Sequence, residues 1–213
     1  MDPRPQFDPV VLRLIAITDS VRDGIPGLTD RARSAVAGGA TMIQLRLADE
    51  HPRTLVDVAR ALRAALPDVP LLVNERADVA LAAGAQGVHV NVDGITPAAL
   101  RRFVPAGFII GASVGGDEDA GRVAGADYVG VGPVFGATGT YGTSGAIGLV
   151  RFAEIARQCA IPSVAIGGIT ALNAGAVMIA GAAGVAVISA LFSSADPMRA
   201  ARDLRAAQDA SGS

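Results

Sequence analysis

The chain has 213 residues, of which 51% are hydrophobic and 18% charged, with a net charge of −2 and a single cysteine, Cys159. That length suits one large domain with a full core. The composition excludes a membrane-spanning apolar run, a global basic field for nucleic acid or anionic membrane, and an internal disulfide.

The polar, proline-rich stretch 1–10 reads as a disordered tail that lacks the apolar core of a signal peptide, and a cytoplasmic location is the expectation. Residues 12–18 form an apolar strand and 28–37 an Ala/Arg helix. Residues 41–46 are the second strand, followed by an amphipathic helix over 54–66. The third pair covers 70–74 and 77–83, the fourth 87–91 and 97–103, and the fifth 108–113 and 117–124. The sixth strand, 128–132, is followed by a long Gly/Thr-rich loop before a helix near Gly148. The seventh pair is 163–167 and 172–180; the eighth is 185–189 and 197–207, with 208–213 as a C-terminal tail.

Four Gly/Ala tags punctuate this series: Gly38-Gly39-Ala40, Ala83-Gly84-Ala85, Ala124-Gly125-Ala126 and Ala180-Gly181-Ala182. Each reads as a helix end and a glycine turn before a short buried strand, and together they mark the even-numbered strands. Near-continuous apolar strands, each followed by a helix, make a parallel sheet covered on its outer face. Eight such units predict an α/β protein of the (β/α)8 TIM-barrel class, one compact domain over 11–207. A doubly wound open sheet is the alternative, and the count of eight argues against it.

In such a barrel, chemistry collects at the carboxyl ends of the strands. Strand seven ends in Gly167-Gly168 with a helix opening soon after, and strand eight ends in Ser189; the two loops match the usual phosphate cradle of the fold. A turn that needs glycine for its backbone alone is the competing explanation. The loop after strand six carries Thr138, Thr140, Thr143 and Ser144, hydroxyls suited to wrapping a polar ligand, or else a mobile surface segment. Alternation sends Gln44 and Arg46 the same way, and an inward arginine calls for an anion or a carboxylate. Asn74, Glu75 and Arg76 share a strand end and Asp93 lies just past strand four. Glu75 and Asp93 could hold Mg²⁺ together with phosphate oxygens. His89 lies inside a strand and reads as a satisfied core histidine; His51, before Pro52, reads as solvated. All 18 basic residues are arginine, so Schiff-base and lysine-base chemistry are absent. There is no nucleophile triad, P-loop or dinucleotide fingerprint.

These strand ends resemble the thiamine phosphate synthase family, including its TenI-type thiazole tautomerase branch. The matching pieces are Ile17-Thr18-Asp19, Gln44-Leu45-Arg46, the run from Asn74 through Leu81, Gly87-Val88-His89-Val90, the run from Gly125 through Phe135, Ala165-Ile166-Gly167-Gly168-Ile169, and the run from Gly184 through Ala190. The resemblance implies a transferase of thiamine biosynthesis. It would join hydroxymethylpyrimidine diphosphate to thiazole phosphate by dissociative substitution, releasing pyrophosphate with Mg²⁺. By position, Gln44, Arg46 and Asn74 would hold the pyrimidine diphosphate, Glu75 and Asp93 would take the metal places, and Ser113, Thr138 and Thr140 would line the site. Gly168 and Ser189 would take the thiazole phosphate. Arg46 and Ser113 would be the catalytic residues.

The sequence departs from the family in four places. Ala48 and Tyr141 stand where lysines are usual, Glu75 stands for an aspartate, and Asp93 matches the second carboxylate only with a one-residue shift. Arg22, Arg53 and Arg76 are the candidates to replace the missing cations. The tautomerase branch has a histidine just past strand five, where this chain has Ser113-Val114-Gly115-Gly116. A TenI-like protein that binds thiazole phosphate without synthase activity is the second expectation. A phosphate barrel of the indole or phosphoribosyl isomerase kind is the third. The implied partners are small phosphorylated substrates, with no nucleic acid and no membrane, and a homodimer is the assembly to test.

Overall fold

The computed structural model describes residues 7–47, 50–91, 93–136 and 145–212. Strand β1 (Leu14–Ile17) pairs in parallel with β2 (Met42–Leu45), and the series continues through β3 (Leu71–Asn74), β4 (Gly87–Asn91), β5 (Ile109–Val114), β6 (Tyr128–Val131), β7 (Ser163–Ile166) and β8 (Gly184–Val187). Strand β8 returns to β1 and closes the barrel, with every pair parallel. Around it lie α1 (Gly24–Ala37), α2 (Pro52–Ala65), α3 (Ala77–Ala83), α4 (Pro97–Leu100), α5 (Asp117–Ala120), α6 (Gly148–Cys159), α7 (Ala174–Ile179) and α9 (Pro197–Asp209). A one-turn helix, α8 (Ser189–Phe192), stands between β8 and α9. No described helix is long and apolar enough to cross a membrane.

The local causes are those expected. Each of the four tags carries one glycine in the left-handed region: Gly39, Gly84, Gly125 and Gly181, where a side chain would be strained. Helix α2 starts with Pro52 after His51, whose exposed Nδ1 accepts from the Arg53 N–H at 3.2 Å. Asp196 caps α9 in the same way through the Arg199 N–H at 3.0 Å.

The strands alternate between two cores. Leu14, Ala16, Ile43, Leu45, Leu71, Val73, Val88 and Val90 face the helices. Ile15, Ile17, Met42, Leu72, Tyr128, Val164 and Ala186 fill the barrel. Leu12 joins this inner cluster because 12–13 are not strand. Pro9–Leu12 is a 3₁₀ turn capped by Asp8, and it seats Leu12 under the barrel floor. Phe7 stacks on Tyr128 there, centroids 6.4 Å apart. Phe7 is therefore packed and Pro9–Leu12 is a turn, where the sequence reads 1–10 as tail; Asp8, Pro9 and Val10 stay exposed. At the other end α9 runs on to Asp209 and a further turn, Ala210–Gly212. Gln208, expected in the tail, is buried and donates from Nε2 to the Arg13 carbonyl at 2.6 Å.

Helices α4 and α5 are shorter than predicted. Gly121 ends α5, and beyond α4 the Arg101 side chain turns back to the Gly125 carbonyl at 2.7 Å, the Phe108 carbonyl and Asp127. Asp127 also accepts from the Ile110 N–H at 2.7 Å, tying β5 to the start of β6.

Candidate functional site

Toward the carboxyl ends of the strands the apolar filling of the barrel gives way to polar side chains. Gln44 of β2 is 2% exposed, and its amide donates to Asn74 Oδ1 of β3 at 3.0 Å. Arg46 follows, half-buried. Thr18, buried at the end of β1, pins the backbone that carries both. Its N–H donates to the Gln44 carbonyl at 3.0 Å, while its hydroxyl accepts from the Arg46 N–H and donates to the Arg46 carbonyl, each at 2.9 Å. The Ile17-Thr18-Asp19 motif thus acts through the neighbouring strand.

Glu75 sits just past β3 in the left-handed region, φ 63°, which costs a non-glycine residue about 1 kcal/mol or more. Two contacts to β4 hold it there. Its N–H donates to the His89 carbonyl at 2.8 Å, and its Oε1 accepts from the Asn91 N–H at 2.9 Å. Asp93 lies beyond β4, its side chain 75% exposed and paired with Arg122 at 3.0 Å; its own N–H approaches Asn91 Oδ1 at 3.5 Å. Asn91 therefore touches both residues expected to hold a metal. Among the described residues no three of His, Cys, Asp and Glu converge. Mg²⁺ needs only one or two carboxylates with phosphate and water oxygens. Glu75 has one uncommitted carboxylate oxygen among the described residues and Asp93 faces solvent, so the pair suits that ion.

Between β4, β5 and β6 runs a buried polar chain. Tyr128 Oη lies 2.9 Å from His89 Nδ1, and His89 Nε2 lies 3.0 Å from Ser113 Oγ. Tyr128 and His89 are 1% and 7% exposed; Ser113 is half-buried at the barrel mouth. Burial pushes the His89 imidazole down to about 4 and the Tyr128 phenol up, so both are neutral near pH 7. The expectation of a satisfied core histidine holds for His89. Its link to Ser113, and the part of Tyr128, were not legible from the histidine alone. The signal lay in Gly111 and Gly130 on the flanking strands. A Cβ on Gly111 would stand 2.5 Å from His89 Nδ1 and from Tyr128 Cε1, and one on Gly130 would stand 3.2 Å from His89 Cε1.

Just past the paired strands β7 and β8, Gly168 and Ser189 are both exposed. Gly167 and Gly168 have φ 92° and 67°, and their Cα hydrogens face the root of the long loop. A Cβ on Gly167 would lie 2.5 Å from Pro133 Cβ, and one on Gly168 would lie 2.6 Å from the Gly136 carbonyl oxygen. The Val134 and Phe135 N–H groups donate to the Ile166 and Gly167 carbonyls at 2.9 and 3.1 Å. Turn geometry and close packing thus both require these glycines. Ser189 opens the one-turn α8, whose Leu191 and Phe192 N–H groups donate to the Ile188 carbonyl at 3.1 and 2.9 Å.

Thr138, Thr140, Ala48 and Tyr141 lie outside the described residues. Of the three candidate arginines, Arg22 donates to the Phe192 carbonyl at 2.9 Å beside α8 and lies 3.7 Å from Asp19. Arg53 is exposed at the start of α2. Arg76 is committed to Asp78 through two hydrogen bonds, 2.8 and 2.5 Å, which hold the Asp78 carboxyl below its usual range.

A family profile described as thiamine monophosphate synthase matches residues 14–191. The thiamine-phosphate synthase of Azorhizobium caulinodans is 45% identical over 202 residues, covering 92% of this chain and 95% of that protein. The thiamine-phosphate synthase of Methanoculleus marisnigri is 50% identical over 182 residues, covering 83% and 86%. Among solved structures, thiamine phosphate pyrophosphorylase from Pyrococcus furiosus superposes with a TM-score of 0.84 at 35% identity, covering 95% of this chain and 98% of that one.

Proposed function

This chain belongs to the thiamine monophosphate synthase family, and from that premise we propose how its residues divide the work of joining hydroxymethylpyrimidine diphosphate to thiazole phosphate. The protein is a transferase of thiamine biosynthesis. The bond from the pyrimidine methylene carbon to the diphosphate oxygen breaks, pyrophosphate leaves, and the thiazole nitrogen forms the new carbon–nitrogen bond. Such a reaction asks the protein to position two substrates and to stabilise separating charge.

Gln44 and Asn74 orient the pyrimidine, their shared hydrogen bond fixing which amide edges remain for the ligand. Arg46, on backbone clamped by Thr18, meets the diphosphate. Ser113, Thr138 and Thr140 line the space between the substrates, and Gly168 with Ser189 receives the thiazole phosphate. Glu75 and Asp93 would hold Mg²⁺, which when bound offsets negative charge on the departing pyrophosphate. Cytoplasmic location and a homodimeric assembly belong to the same reading.

The observation that carries the proposal is the order of polar groups around the mouth. Amides and an arginine stand at the ends of β2 and β3, carboxylates past β3 and β4, a hydroxyl on β5, and an exposed glycine and serine just past β7 and β8. Incubating the purified protein with both substrates and Mg²⁺ should yield thiamine phosphate and pyrophosphate. If none forms while thiazole phosphate still binds by calorimetry, the TenI-like binding role replaces it.

A further inference from the structure

The Tyr128–His89–Ser113 chain has a direction that hydrogen-bond satisfaction decides. Tyr128 Oη is buried, and its one partner among the described residues is His89 Nδ1. A buried O–H without an acceptor costs about 1–3 kcal/mol, so the phenol donates and Nδ1 accepts. A neutral imidazole has one N–H, which then sits on Nε2 and points at Ser113 Oγ. The serine oxygen is an acceptor in this chain, and its own hydrogen is left for something else. No acceptor for it stands among the described residues, and Ser113 sits half-buried at the end of β5, where the barrel opens. The opposite tautomer would leave the Tyr128 proton without an acceptor and turn the serine hydrogen inward.

We propose that Tyr128 and His89 are positioning residues which fix Ser113 as a hydrogen-bond donor to an acceptor atom of bound substrate. This rests on the synthase reading only for the substrate's identity. The fold makes room for the chain at a cost in side chains, since Gly111 and Gly130 must stay bare for the tyrosine and imidazole rings to cross the barrel. A histidine needed only to fill volume could be replaced by an apolar residue packed against larger neighbours; the two glycines preserve a polar path that ends at the mouth. The imidazole takes no proton during turnover. It holds one.

Two measurements test this. Long-range ¹H–¹⁵N spectra of the labelled wild-type protein report the His89 tautomer directly. The Nε2–H form is expected, and the Nδ1–H form overturns the proposal, whether or not the protein has synthase activity. For the kinetics, Tyr128→Phe should lower kcat about tenfold, the scale of one lost hydrogen bond in the transition state, with KM for both substrates unchanged. His89→Asn should lower it further, because the shorter amide cannot reach Ser113. His89→Gln, whose amide nitrogen can take the place of Nε2, should recover most of that loss. Adding Tyr128→Phe to His89→Gln should then change little, because the tyrosine acts only through the imidazole. Equal loss in the Asn and Gln variants, or full additivity with Tyr128→Phe, overturns the proposal. Wild-type protein that makes no thiamine phosphate sinks the synthase reading, while the tautomer spectrum still decides the polarity of the chain.

Discussion

Replacing His89 with glutamine isolates one proton in the acid stability of this protein. In the folded chain, burial holds the imidazole near 4, against an ordinary value of 6.5. Between those two pH values the unfolded chain binds a proton that the folded chain refuses, so stability rises with pH across that window. The contribution is fully present above about pH 6.5, falls as the pH drops toward 4, and levels off below. At about 1.4 kcal/mol for each tenfold difference in proton affinity, the loss amounts to about 3 kcal/mol. That is a large part of the roughly 5–15 kcal/mol typical of a folded domain. Glutamine does not titrate, and the carboxylates present in both proteins cancel in the comparison. The chain has no tryptophan, so urea unfolding followed by far-ultraviolet circular dichroism is the suitable assay. The wild-type advantage over His89→Gln should shrink by about 3 kcal/mol between pH 7 and pH 4. A constant difference across that range would mean the imidazole is hydrated or already charged in the native state, and the reasoning from burial would be wrong.

Gly111→Ala places a methyl 2.5 Å from His89 Nδ1 and Tyr128 Cε1; overpacking should cost about 1–3 kcal/mol in urea unfolding and lower kcat in steady-state assays. Arg101→Ala removes the partner of Asp127 at the base of β5 and β6. Thermal unfolding should show a loss of about 2–4 kcal/mol, with kcat per folded molecule within about twofold. Gly168→Ala combines a left-handed φ with a 2.6 Å approach to the Gly136 carbonyl; KM for thiazole phosphate should rise about tenfold or more, measured at saturating pyrimidine diphosphate. Ala48→Lys with Tyr141→Lys restores two cations, each charge-assisted contact being worth about 1.5–3 kcal/mol. The rate should rise at least about tenfold, and no change would mean the arginines already do this work.

The barrel was legible because its turns were. Gly39, Gly84, Gly125 and Gly181 each sit where left-handed backbone is required, so the four tags counted strands through a steric constraint that sequence displays directly. Residues 9–12 misled for a matching reason. The polar, proline-rich composition of 1–10 reads as tail and apolar Leu12 as the start of a strand, yet Pro9 and the Asp8 cap turn Pro9–Leu12 into a 3₁₀ plug. Helix α8 escaped notice because four residues leave no periodicity to read. At the mouth, Gln44 could be nominated from alternation, and Asn74 and Glu75 from their place at a strand end. Their mutual contacts depend on the register between strands, which no single segment encodes. The bond from His89 to Ser113 crosses 24 residues of sequence and that to Tyr128 crosses 39; the clue to both was the missing side chain at Gly111. Asp93 was nominated from sequence as a metal ligand, and its Arg122 contact comes from a loop with no motif.

The contact between Gly167-Gly168 and the Pro133–Gly136 backbone also bears on how this protein can be changed. No larger residue fits at either glycine while that stretch of loop stays where it is, and the loop cannot come closer without meeting the strand end. Randomising Gly167 and Gly168 alone should return glycine wherever full activity is selected for. Variants that accept a bulkier phosphorylated partner should instead arise at Ser189, or through paired insertions that move the loop and the glycine turn in one step.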